Sequence, residues 1–218
     1  MVLMHQQRNL LRSNTLKKLL LLFALLISFS SLGQDGKKQG ESITYYGSGE
    51  VWKKTNYVNG KKQGKEITYY RSGEVWKKTN YVSGKKQGKE ITYYKIGEVM
   101  FKTNYVNGKE QGEYFWYSKS GEVISKVNYV DGKKQGESIT YYVSAYSLTT
   151  SGSGEVRKKG NYVNGKLQGE YFWYFESGEV KKKGNYVNGK LQGEYIEYYE
   201  SGEIKEIKSY KDDVLIED

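Results

Sequence analysis

The chain has 218 residues with 35 Lys+Arg against 25 Asp+Glu, no Cys, no Pro and 23 Tyr. The missing Cys excludes disulfides, thiolate catalysis and thiolate metal sites, and it leaves no residue to carry a lipoprotein anchor. Composition this skewed at this length points to a repeat array rather than an ordinary one-core domain.

In chain order the first element is a leader. Arg8, Arg12, Lys17 and Lys18 form a basic start, Leu19 to Phe29 is an apolar-to-small run, and Ser31 and Gly33 are small. This layout is that of a secretion signal over residues 1–33, with cleavage before Gln34. An apolar run of eleven residues spans about 17 Å as a helix against a hydrocarbon core of about 30 Å, which disfavours a retained anchor. The single His, His5, lies in this leader. Removing the leader's four cations leaves 31 bases against 25 acids, net +6. The expected location is periplasmic, cell-surface or secreted. There anionic lipid or wall polymer is a more plausible electrostatic partner than nucleic acid, and a solvated surface is the bland alternative.

From residue 34 to 210 the sequence repeats seven times. Gly36, Gly60, Gly84, Gly108, Gly132, Gly165 and Gly189 recur every 24 residues, with one interval of 33. Asn-Gly or Asp-Gly between alternating runs signals a hairpin, because both residues tolerate positive φ. Arg71-Ser72-Gly73 and its copies fit a three-residue loop with Gly left-handed. The expected fold is all-β: an elongated antiparallel meander of about 14 strands.

A three-residue loop at 71–73 pairs Tyr69 with Val75 and Ile67 with Lys77. Rows such as Ile43/Ile67/Ile91, Tyr45/Tyr69/Tyr93 and Val51/Val75/Val99 then share one face. To keep that parity one residue must be absorbed per repeat, and Gln63-Gly64 and its copies offer a Gly bulge. On the other face the same register sets Lys54, Lys78 and Lys102 against Glu66 and Glu90, and Lys126, Lys159 and Lys183 against Tyr114, Tyr171 and Tyr195. Beside them runs an apolar stripe of Trp52, Trp76, Met100, Trp116 and Ile124, which gives way to Arg157, Trp173, Lys181 and Glu197. Such a stripe is either a contact surface or is buried by sheet curling or self-association.

Val143 to Ser151 is a nine-residue insertion at the tip of the fifth unit, with Val143, Tyr146 and Leu148 as its large apolar residues. Loop insertions on regular scaffolds often carry function, and they are also cheap and often neutral. Residues 211–218 (Asp212, Asp213, Glu217, Asp218) read as an acidic C-terminal cap that repels incoming strands.

Units such as Lys158 to Val180 (Lys-Lys-Gly-Asn-Tyr-Val-Asn-Gly-Lys-Leu-Gln-Gly-Glu-Tyr-Phe-Trp-Tyr-Phe-Glu-Ser-Gly-Glu-Val) resemble the bacterial variant of the MORN (membrane occupation and recognition nexus) repeat. The match covers roughly residues 35 to 210. Gly160 and Gly184 fit the family pattern, whereas Thr55, Thr79, Thr103 and Val127 depart from it. The resemblance implies an extended sheet used for protein or lipid contact, with no catalytic residue to carry over. Bacterial relatives are often labelled toxin–antitoxin antitoxins, so neutralising a partner protein is one implied role.

No cofactor, metal or catalytic site is expected. Asn59 to Lys65 lacks the spacing and the hydroxyl of a phosphate-binding loop, and no Asp-rich calcium loop occurs. Acids such as Glu50, Glu74 and Glu98 repeat in every copy, while an active site needs a unique constellation. The expected function is an exported, non-enzymatic interaction scaffold, binding an unknown protein partner or a second copy of itself. The alternative is a wall- or glycan-binding protein, since Tyr/Trp-rich hairpin repeats also resemble choline- and glucan-binding arrays.

Overall fold

The structure, a computed structural model, describes residues 31–33, 35–143 and 154–216. The leader apart from Ser31–Gly33, the insertion residues Tyr146 and Leu148, and the last two acids lie outside the described residues.

The described residues form one antiparallel sheet in which chain neighbours pair in order, without a helix. Its seven hairpins are Lys38–Tyr45 with Val51–Val58, Lys61–Tyr69 with Val75–Val82, Lys85–Lys86/Gly88–Tyr93 with Val99–Val106, and Lys109–Glu110/Gly112–Tyr117 with Val123–Val130, then Lys133–Tyr141 with Val156–Val163, Lys166–Tyr174 with Val180–Val187, and Lys190–Tyr198 with Ile204–Lys211. Short strands Ser31–Leu32 and Val214–Ile216 flank the array. The all-β meander read from the sequence is therefore the fold.

The two turn types follow from the residues at them. Asn59 and Gly60 both have positive φ, at 49° and 76°, so their hairpin turns in the sense that matches strand twist. At the opposite edge Gly73 has φ 99°, the Gly73 N–H donates to the Tyr70 carbonyl at 2.9 Å, and the Tyr70 N–H donates to the Glu74 carbonyl at 2.8 Å.

The register departs from the expectation in one respect. Tyr69 does pair with Val75, but Thr68 pairs with Lys77 and Ile67 with Lys78, so Trp76 is an extra residue that bulges from its strand. A second irregularity lies at Gln63-Gly64, where the pairing jumps from Tyr57↔Lys62 to Thr55↔Glu66 and absorbs two residues. Three absorbed residues have the same parity as one. The Ile, Tyr69-type and Val rows accordingly do share a face, as read from the sequence. The Lys row was misplaced. Lys54 pairs with Ile43 and Ile67, and Lys126 with Phe115 and Ile139, on the Ile face. Thr55 is the residue opposite Glu66, and Gly160 and Gly184 are opposite Tyr171 and Tyr195. The bulge at Trp76 and its copies is what shifts these partners by one. The bulge inserts no Gly, so nothing in the loop lengths marks it.

Two ladders tie each repeat to the next beyond the strand pairing. At one edge the Gly60 N–H donates to the Lys38 carbonyl at 2.8 Å, and the Asn59 N–H donates to the Gln39 side-chain oxygen at 2.9 Å. The same pair of bonds recurs at Gly84/Gln63, Gly108/Gln87 and Gly132/Gln111, and on to Asp213/Gln192. At the other edge Tyr46, Tyr70 and Tyr94 donate their hydroxyls to the carbonyls of Tyr69, Tyr93 and Tyr117 at 2.7, 2.7 and 2.8 Å. Tyr142 reaches the Tyr174 carbonyl in the same way, past the insertion.

No second layer covers either face of the described sheet, and no described side chain is fully buried. The most buried apolar side chains, Val127, Ile139, Leu191 and Ile196, are distributed over both faces. Stability must therefore come from cross-strand neighbours and inter-repeat ladders rather than from a sandwiched core.

The Gln ladder gives a direct test. Gln63→Ala orphans the Ser83 N–H and should cost about 0.5–1.5 kcal/mol, the usual net worth of one hydrogen bond. Thermal melts monitored by circular dichroism should show the loss, and an unchanged midpoint would remove the ladder from the stability account.

Candidate functional site

The face opposite the Ile/Tyr69/Val rows carries most of the array's chemical variety. Across the first three hairpins it holds two polar clusters, the first of them buried. Thr55 donates to Glu66 at 2.8 Å, Lys62 pairs with the same carboxylate at 2.5 Å, and the Lys62 ammonium lies 4.6 Å from the Tyr81 ring centre. One repeat on, Thr79 donates to Glu90 at 2.8 Å, Lys86 pairs with Glu90 at 2.7 Å, and Lys86 lies over Tyr105. Burial pushes the Glu66 carboxyl up, but hydrogen bonds from Lys62 and Thr55 outweigh it and hold the group below its ordinary value. Burial likewise pulls the Lys62 ammonium down, and the Glu66 carboxylate more than restores it, to above the ordinary value.

Further along, the same positions become aromatic. Tyr114 contacts Phe101 and Tyr129, and Tyr171 contacts Trp173 and Tyr186, with ring centres 4.5 to 6.0 Å apart. Burial pushes the Tyr114 and Tyr171 phenols up to about 12, so both stay neutral. Gly160 and Gly184 make room for Tyr171 and Tyr195. A Cβ at Gly160 would lie 2.2 Å from the Tyr171 ring, and one at Gly184 would lie 2.8 Å from Leu191 and 3.0 Å from Tyr195. Neither Gly has positive φ, so both are required by close approach and not by backbone shape. The change of type leaves a mark. Thr103 pairs with Glu90 on one side, but on the other the register sets it against Tyr114 where Thr55 and Thr79 meet a Glu, and its buried hydroxyl has no hydrogen-bond partner.

The apolar stripe read from the sequence runs along the same face. The Trp52 and Trp76 rings contact Tyr46 and Tyr70 at 6.4 and 6.3 Å, and Lys53 and Lys77 lie over them. Trp116 contacts Phe101 at 5.9 Å. Trp52, Trp76 and Trp116 remain 38%, 37% and 40% exposed, whereas Met100, Ile124 and Trp173 are half-buried. Of the insertion residues only Val143 is described; it is half-buried and lines an open hollow with Phe115, Val123 and Tyr141. The sequence reading found the stripe. It missed the Thr–Glu–Lys clusters because it assigned Glu66 to the neighbouring Lys row. The Thr-to-Gly change accompanied by Glu-to-Tyr was the available signal.

Among the described residues no group of three or more His, Asp or Glu could hold a metal ion, and no helix is long and apolar enough to cross a membrane. Fold and surface together define a tandem β-hairpin repeat array. The chain belongs to the MORN repeat variant family, whose model matches residues 38–59, 62–83, 110–131, 167–188 and 191–212. The hairpins between these segments have the same strand pairing and bulges. The family is one of repeat scaffolds for protein or membrane interaction, generally without enzymatic activity. A search of the curated proteins finds no match.

Two outcomes follow from the clusters. Thr55→Val should destabilise by about 1–3 kcal/mol because Glu66 loses a donor while buried, whereas Thr103→Val removes an orphan hydroxyl and should be neutral or stabilising. Equal losses in paired thermal melts would contradict this assignment. The Glu66 contribution is present above the ordinary carboxylate value of 4.5 and lost as pH falls through its depressed folded value. Acid titration of stability should therefore show a step below pH 4.5 that Glu66→Gln removes.

Proposed function

We propose that the array is exported and acts as a scaffold that docks a protein partner on its Trp-bearing face. The carrying observation is that Trp52, Trp76 and Trp116 stay more than a third exposed, in a row, on one face of a sheet over which the described residues form no second layer. Large aromatic side chains that are rigid and part-exposed are the side chains that dominate binding energy when a partner buries them. Ring contacts with Tyr46, Tyr70 and Phe101 hold them in place beforehand, which reduces the ordering cost of association. Export is supported by the three-part layout of residues 1–33.

Trp52→Ser, Trp76→Ser and Trp116→Ser combined should leave the sheet folded by circular dichroism and abolish partner capture from the exported fraction. Unfolding of the triple variant as a monomer would show that the row is structural. N-terminal sequencing of exported material should begin near Gln34, and intact protein confined to the cytosol would end the export reading.

A further inference from the structure

Toward the C-terminal end the same face changes character. The bulged positions that hold Trp52 and Trp76 hold Arg157 and Lys181 in the fifth and sixth hairpins. Trp173 takes the place of a Thr between them, paired on one side with Lys158 and on the other with Lys182. Together with Tyr142, Tyr174 and Tyr195 these side chains line an open hollow of about 400 Å³. Tyr171 and Tyr195 brace the indole, with ring centres at 4.5 and 6.1 Å. Glu197 neutralises Lys182, but among the described residues no carboxylate pairs with Arg157, Lys158 or Lys181. Arg157 and Lys181 rest instead over the Tyr142 and Phe175 rings at 5.8 and 5.2 Å.

We infer that this hollow is a binding site for an anionic polysaccharide, with Trp173 as the stacking platform and Arg157, Lys158 and Lys181 as the charge readers. The assignment does not depend on the protein-docking reading, which concerns the other Trp residues. A braced indole with cations on both sides suits a ligand that has flat apolar faces and negative groups at its edges. A sugar ring bearing carboxylate, sulfate or phosphate has both.

Spacing separates this ligand from other polyanions. Arg157 and Lys181 occupy equivalent positions two strands apart, about 10 Å along the sheet at the usual strand separation. That is close to the length of a disaccharide, the charge repeat of a polymer that alternates acidic and neutral sugars. Duplex nucleic acid places a phosphate roughly every 3.4 Å of helix axis on each strand, and an extended acidic peptide places a residue about every 3.3 Å. Either would leave most of its charges unread. Only one platform is present per site, too, whereas single-stranded nucleic acid is bound by successive stacking rings.

The test titrates the full chain with hyaluronan oligosaccharides, whose carboxylates fall on alternate sugars, at fixed ionic strength and with Trp emission as readout. Neutral dextran, single-stranded DNA and polyglutamate are the comparison ligands. Saturable binding of hyaluronan with a change in Trp emission, at least roughly tenfold tighter than DNA or polyglutamate, is the expected result. Arg157→Ser with Lys181→Ser should weaken it at least roughly tenfold, while the charge-matched pair Lys53→Ser with Lys77→Ser should not. Trp173→Ala, if folded by circular dichroism, should lose the emission change. Absence of hyaluronan binding, equal binding of DNA or polyglutamate, or equal losses in the two charge-matched pairs would each overturn the assignment.

Discussion

The turn-edge contacts between repeats in this sheet depend on how the Gln-Gly step stores surplus chain. A strand that gains two residues against its neighbour cannot continue flat. The surplus is accommodated at Gln63-Gly64 and its copies, where the Gly adopts φ near 75–83°. The detour does more than relieve strain. It brings the Gln side chain to where its oxygen accepts the N–H at the first residue of the next turn, and it lets that turn's Gly reach a carbonyl of the preceding hairpin. Turn stacking follows from this local device, while the parity that sets the faces comes from the single residue absorbed at Trp76 and its copies. Repeating it at a fixed interval makes the array regular.

Several of these features were legible in the sequence because they rest on residues with narrow conformational meaning. Asn-Gly, Ser-Gly and Gln-Gly each announce a backbone shape, and spacing them 24 apart gives hairpins, edges and the Ile/Tyr/Val face. The bulge at Trp76 was not legible, since nothing about Trp requires it. Its register shift reassigned Glu66 from Lys partners to Thr55 and Thr79. Cross-strand pairing is unforgiving in this way, because a shift of one residue changes every partner downstream of it while leaving composition untouched. The stripe survived the error because its members lie at or next to the bulge, where consecutive side chains share a face. The Lys row did not survive it.

The two ends of the described face solve the problem of a single-layer sheet in different ways. Thr, Glu and Lys fill the first three hairpins with two compact charged clusters, each tied by hydrogen bonds and held beneath a Tyr ring. From the fifth hairpin on, Gly opens space that Tyr171 and Tyr195 fill by lying against the backbone. Thr103 stands at the change, keeping the hydroxyl of one arrangement opposite the ring of the other. The array is therefore regular in backbone and graded in chemistry, and one long face can present an aromatic row at one end and a cationic hollow at the other.

The Tyr ladder along the loop edge has a further consequence, because it is interrupted while the Gln ladder is not. At the tip of the fourth hairpin Ser118 takes the Tyr position and turns its hydroxyl to Ser120, and at the sixth Phe175 has no hydroxyl to give. Among the described residues those junctions are fastened at the turn edge and along the strands but lack the tyrosine tie at the loop edge. Mechanically the sheet is a strip with one continuous seam and one stitched in lengths: four hairpins, then two, then one. A bending strain on such a strip concentrates at the gaps, and these flank the pair of hairpins that holds Trp173. Curvature can thus change around the cationic hollow while the backbone of each block keeps its shape.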